Sequence, residues 1–152
     1  ESVLGKSSAY VQYREVAGAP RRVAKALRPG RRKPLAAARQ QLRERDGFHC
    51  RFCGIPLVRE EIRRRIHRAY PFAVPWGKAN ASRHAGLFTL WMQYDHVVPL
   101  ARGGDNELEN LLVTCAPCNY GRMSYTLEEV GLADPRRLPP IRSAWDGLER
   151  FR

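Results

Sequence analysis

The spacing of apolar residues changes along the chain, and each change predicts an element. Leu35, Ala38 and Leu42 fall on one face at helical spacing, so a helix is predicted from near Pro34 to about Arg45. Proline suits a first helical turn, and Asp46-Gly47 stops the run. Ile62, Ile66 and Ala69 form a second stripe across Glu60 to Tyr70, with Arg63, Arg64, Arg65 and Arg68 around it as a basic face, to lie along a DNA backbone or to be simply solvated. Residues 71–86 read as a loop, under which Phe72 and Trp76 are expected to pack, with contact to bases as the alternative. From Leu87 to Val98 the period falls to two, with Phe88, Leu90, Met92 and Tyr94 alternating, which predicts a strand. A glycine turn follows at 101–106, then a single helical turn at Glu107–Asn110. Leu111 to Thr114 is a short return strand into Cys115, and a helix is expected to open at Asn119. Thr126-x-x-Glu129 is a capping-box pattern that Gly131 closes. Beyond Pro135, Pro139 and Pro140, the residues Ile141, Trp145, Leu148 and Phe151 recur at helical spacing and predict a closing helix on the core. Partial alternation over Tyr10 to Val16 suggests one more short strand. The class is α+β.

Charge adds a partner to this picture. The 152 residues carry 27 Lys/Arg against 15 Asp/Glu, a net charge of +12. Only four of the cations are lysine, and arginine favours bidentate contacts to phosphate. Residues 1–45 hold twelve basic and three acidic residues, hence +9. Residues 46–152 hold fifteen basic and twelve acidic, hence +3. The organisation predicted is a basic N-terminal arm over 1–33, a core over 34–125 with an insertion at about 60–90, and a helical extension over 126–152 that packs on the core. Arg31, Arg32 and Lys33 of the arm, with Arg102 of the glycine turn, are candidate contacts to a nucleic acid. No stretch is apolar enough to span a bilayer and no signal-peptide core is visible, so a cytoplasmic, nucleoid-associated protein is expected.

The cysteines add a staple. Cys50-x-x-Cys53-Gly54 and Cys115-x-x-Cys118 are two knuckles whose thiolates together suit one tetrahedral Zn²⁺. Such a site is coordinatively closed, so it fixes the scaffold and does not catalyse. The long gap between the pairs means that the ion clamps distant parts of the chain. Two disulfides are the other arrangement that four cysteines allow.

A second site is drawn in oxygen ligands. Asp95 offers a carboxylate and Asn119 an amide oxygen, hard donors that suit Mg²⁺ or Mn²⁺. His96 offers an imidazole that can take a proton from an attacking water. One cation and one base suffice for phosphodiester hydrolysis, which depends mainly on positioning and charge stabilisation. Adjacent strand residues point to opposite faces, so Asp95 and His96 share a substrate only if the strand ends or bends there.

In this order and spacing, residues 43–54 (RERDGFHCRFCG) and 94–122 (YDHVVPLARGGDNELENLLVTCAPCNYGR) resemble the zinc-containing branch of the HNH endonucleases. The resemblance implies a ββα-metal finger with a structural four-cysteine zinc site, flanked here by additional helices. It implies Asp95 as first metal ligand, His96 as general base, Asn110 as the residue that holds the inter-strand loop, and Asn119 as second metal ligand. Arg122 stands where a basic residue contacts phosphate. Some members carry a further metal-binding histidine where this chain has Met123, which favours Mg²⁺ or Mn²⁺ over a tightly held catalytic zinc.

The function expected is a metal-dependent endonuclease on DNA, double-stranded by preference, leaving 5′-phosphate and 3′-hydroxyl ends, in a setting of restriction or defence. A further domain for target recognition would suit it. A zinc-stapled nucleic-acid-binding module without catalysis is one alternative, although a pure binder has no need of Asp95, His96 and Asn119 together. A nuclease directed at RNA is another.

Overall fold

A two-stranded antiparallel ribbon, held between helices, positions everything else in the computed structural model, which describes residues 22–30 and 34–151. Strand β1 is Met92–His96 and β2 is Leu111–Cys115, in register from Met92 opposite Cys115 to His96 opposite Leu111. The α-helices are α1 (Ala36–Asp46), α2 (Glu60–Ala69), α3 (Ala85–Thr89), α4 (Ala116–Arg122) and α5 (Leu127–Val130). The chain runs β1, turn, β2, α4, so the expected α+β class and ββα finger are both found.

β2 is buried along its whole length because it is covered on several sides. Leu42 of α1 and Leu57 after the first cysteine pair reach zero exposure against Leu111 and Val113. Fully burying an aliphatic side chain of this size contributes about 1.5–3 kcal/mol, so these few contacts carry much of a small core. The outer edge of β2 is closed at one residue. Val113 N–H donates to the buried Asp46 carboxylate at 3.0 Å, and Val113 C=O accepts from Arg51 N–H at 3.0 Å.

Three expectations are corrected. The predicted strand over Leu87 to Val98 is half helix: α3 occupies its first residues, and the strand begins only at Met92. The His84 imidazole causes this, because Nδ1 accepts from Leu87 N–H at 3.1 Å and caps a helix start. The predicted closing helix is absent, and residues 141–151 are irregular, with a turn over 147–150. Gly147 at φ 73° and Leu148 at φ 59° both lie in the left-handed region, which a right-handed helix excludes. A β-carbon at Gly147 would meet the Phe48 ring at 2.4 Å, so the turn also needs the missing side chain. The segment still docks on the core, through Trp145 Nε1 donating to Leu57 C=O at 2.9 Å. Finally, Arg63 and Phe72 exchange places with their expectations: Arg63 is buried at 4% exposure and Phe72 stands 97% exposed. The Arg63 guanidinium lies 3.8 Å from the centre of the Trp76 ring, which supplies the attraction that water would otherwise provide.

The capping box of α5 is present as expected, with Thr126 and Glu129 bonding each other's backbone N–H. Among the described residues no helix is long and apolar enough to cross a membrane. The suggested strand at Tyr10 to Val16 and the cations Arg31, Arg32 and Lys33 lie outside the described residues.

Candidate metal and phosphodiester site

The sulfur atoms of Cys50, Cys53, Cys115 and Cys118 all lie within 4.8 Å of one another. The first pair sits on a tight turn, closed by Gly54 N–H donating to Cys50 C=O at 2.9 Å. Cys115 ends β2 and Cys118 lies in the first turn of α4. None is in a disulfide, and Cys53 Sγ is 3.7 Å from Cys115 Sγ. A tetrahedral zinc with Zn–S bonds of ~2.3 Å needs sulfur–sulfur separations of about 3.8 Å, so this quartet fits the ion. Hydrogen bonding within the quartet, first from Cys115 and then from Cys118, pulls the Cys50 thiol below its ordinary range, while Cys118, bonded to Cys115 and Cys50, is pushed up. His49, beside the knuckle, stays outside the cluster and meets Ser143 Oγ at 3.4 Å.

The second site begins where β1 ends. Asp95 and His96 are both buried to 7% exposure, and both line one cavity of about 980 Å³ with Asn119 of α4. The sharing across adjacent strand residues is possible because His96 is the last residue of the strand. The Asp95 side chain also turns along the chain, with Oδ1 accepting from His96 N–H at 2.9 Å. Burial raises the Asp95 pKa above the ordinary carboxylate value, against the opposing pull of the Arg122 guanidinium.

Two asparagines hold the surroundings. Asn110 spans the loop between the strands: Oδ1 accepts from Val98 N–H at 2.8 Å, and Nδ2 donates to Val98 C=O and Asp105 C=O, each at 3.0 Å. Gly104 is required beside it, because a β-carbon there would sit 1.8 Å from Val98 O. Asn106 was not singled out from the sequence, yet its Oδ1 lies 2.9 Å from His96 Nε2. With an amide oxygen as acceptor, the ring proton sits on Nε2 and Nδ1 carries the lone pair.

Arg122 is corrected from its expected place on a phosphate. It is buried at 4% exposure, and all five guanidinium donors are engaged. Nε and Nη2 meet Asp95 Oδ2 at 3.2 and 2.6 Å, Nη1 meets Tyr125 C=O at 2.7 Å and Val97 C=O at 3.3 Å, and Nη2 also reaches His96 C=O. Arg102 is likewise turned inward, with Nη2 on Glu129 Oε1 at 2.6 Å, which ties α5 to the glycine turn. The cations that do face the cavity are others, among them Arg22, Lys25, Arg28 and Arg39. Arg22, Lys25 and Arg28 belong to a short segment that passes beside the finger, where Val23 N–H donates to Ala101 C=O at 2.8 Å. Their positions inside the expected arm were legible, but nothing in the sequence said which of its cations would reach the cavity.

Residues 88–122 match the family model described as HNH endonuclease. The matched stretch contains Asp95, His96, Asn110, the second cysteine pair and Asn119. At the level of that family, the match points to a nuclease, a hydrolase of nucleic acids, and to the use of divalent metals. Comparison with curated proteins and with solved structures finds no match.

Proposed function

We propose that this HNH-bearing chain is a metal-dependent endonuclease that hydrolyses phosphodiester bonds of DNA, with the four-cysteine zinc site of the family's zinc-containing branch as its structural staple. The observation that carries the reading is the shared cavity of Asp95, His96 and Asn119, with cationic side chains on the same wall. Asp95 and Asn119 would hold Mg²⁺ or Mn²⁺, which when bound supplies Lewis acidity at a phosphate oxygen.

The protein's own groups do the rest. His96 Nδ1 takes a proton from the attacking water, whose oxygen then bonds phosphorus as the 3′ oxygen departs. The departing 3′ oxygen takes a proton from solvent, and the products are a 5′-phosphate and a 3′-hydroxyl. Asn106 holds the ring by its other nitrogen, and Asn110 keeps the loop that carries Asn106 in shape. Arg122, paired with Asp95 Oδ2, favours the charged form of the buried carboxylate. The substrate is double-stranded DNA, met inside the cell near the nucleoid, in restriction or defence. Residues 1–33 act as a basic arm, 34–125 as the nuclease core and 126–152 as a docked extension.

The test is plasmid incubation with Mg²⁺ or Mn²⁺, using the native chain and His96→Ala. Nicking or linearisation by the native chain is expected, with a loss of about 10²–10⁴-fold in the variant, as for removal of a general base. Binding without cleavage by the native chain would leave the zinc-stapled binder as the reading. Cleavage of single-stranded RNA but not of DNA would redirect the reaction.

A further inference from the structure

One wall of the cavity is aromatic, and phosphodiester hydrolysis as described makes no use of it. Tyr120 follows Asn119 on α4, lines the same cavity and is 44% exposed. Its ring is not a loose surface group. Phe88 stacks on it at 5.9 Å between centroids and 26° between planes, and Trp91 meets it edge-on at 6.4 Å. Behind these, Trp76 packs edge-on against Trp91 at 5.4 Å, and the buried Arg63 guanidinium lies on Trp76. The cluster therefore holds Tyr120 rigidly, with one face backed by Phe88 and the exposed part of the residue turned to the cavity.

Cations complete the cavity. Lys25, Arg28 and Arg39 line it and have no carboxylate partner among the described residues. An aromatic face packed in place, beside cations that have no carboxylate partner among the described residues, is the combination that holds a nucleic-acid strand by its backbone while a base stacks. A base inside a regular duplex is stacked on its own neighbours and presents only its edge, so it cannot use such a face. Stacking requires a nucleotide out of the helix.

We propose that Tyr120 is a stacking platform for an unpaired nucleotide of the DNA strand held at the cavity, so that the protein selects DNA with an unpaired base beside the bond it cuts. The proposal rests on the nuclease reading for its substrate and adds a structural preference that the reading does not contain.

The test is binding by the zinc-loaded protein in buffer without added Mg²⁺ or Mn²⁺, by anisotropy of a labelled duplex carrying a single-nucleotide bulge against the same duplex fully matched. One base–aromatic stack supports a preference of roughly tenfold for the bulge. Tyr120→Ala should bring the two Kd values together, and Tyr120→Phe should keep them apart. The circular dichroism spectrum and the zinc content of each variant establish that it is folded. Trp91, two ring contacts from the base, should lose fluorescence with the bulged duplex more than with the matched one. Equal affinity of the native chain for both duplexes overturns the proposal, as does a preference that survives in folded Tyr120→Ala. Failure to cleave in Mg²⁺ or Mn²⁺ strikes the nuclease reading alone, because the binding comparison needs no chemistry.

Discussion

Arg122 and Asp95 form a buried ion pair, with Nη2 2.6 Å from Oδ2 and the two side chains only 2% and 9% exposed. The pair joins the end of α4 to the end of β1, so the helix that carries Asn119 is locked to the strand that carries His96. Deleting one member of such a pair leaves the other charged and unpartnered, at a cost of about 3–5 kcal/mol. Arg122→Met should therefore lower the stability of the protein by that order in urea unfolding. Arg122→Lys should fall between, since an ammonium cannot reproduce the fork. A Met variant of native stability would show that Asp95 does not depend on this partner.

The loop clamp gives a second expectation. Asn110→Ala removes three hydrogen bonds to the loop, two of them to the backbone of Val98. At roughly 1 kcal/mol for each net bond, about 3 kcal/mol should be lost, and the thermal midpoint should drop accordingly. Gly104→Ala attacks the same loop by steric means and should be at least as harmful. Native-like melting of either variant would mean that the loop is held elsewhere.

Zinc is expected at one ion per chain by elemental analysis. Thiolate ligation contributes about 10–16 kcal/mol of binding free energy in small zinc modules, and that energy is folding energy. Cys→Ala at any of the four positions should therefore unfold the finger rather than only slow it. The circular dichroism spectrum after chelation reads this directly. A folded and metal-free quartet would put the cysteines outside the scaffold's needs.

Salt dependence tests the arm. Removing residues 1–33 should weaken DNA binding and flatten the plot of log affinity against log salt, by about 0.9 for each duplex phosphate that the arm neutralises. The cleavage products should be unchanged. An identical slope before and after truncation would take the arm out of the interface.

Much of the site was legible because it is written in short-range pattern. Asp95-His96, Asn110 and the second cysteine pair fix residue type and spacing and are brought together by the ribbon with few intervening residues, while the Cys-x-x-Cys spacing marks the first pair although it lies far away in the chain. The partners that cross the fold were hidden. Arg122 reads as any basic residue after a helix turn, and only the packing of α4 on β1 turns its guanidinium inward. Asn106 looks like a turn former in ARGGDN, and its bond to His96 depends on how the loop folds back. The strand misread at Leu87 and the helix misread at Ile141 share one cause. In each, a local feature outweighed the apolar period: the His84 cap in the first, the left-handed pair Gly147-Leu148 in the second.

The closed rim of β2 has a consequence for handling the protein. A bare two-stranded ribbon offers free amides to any passing chain, which is how amyloid-like stacking starts. Here Asp46 and the knuckle residue Arg51 occupy that rim at Val113. Arg51 stands between Cys50 and Cys53, so its guard duty lasts only while the thiolates are gathered. Metal-stripped preparations should accordingly precipitate as cross-β aggregate, detectable by thioflavin binding, and reducing agent with added zinc should be the remedy that keeps the ribbon single.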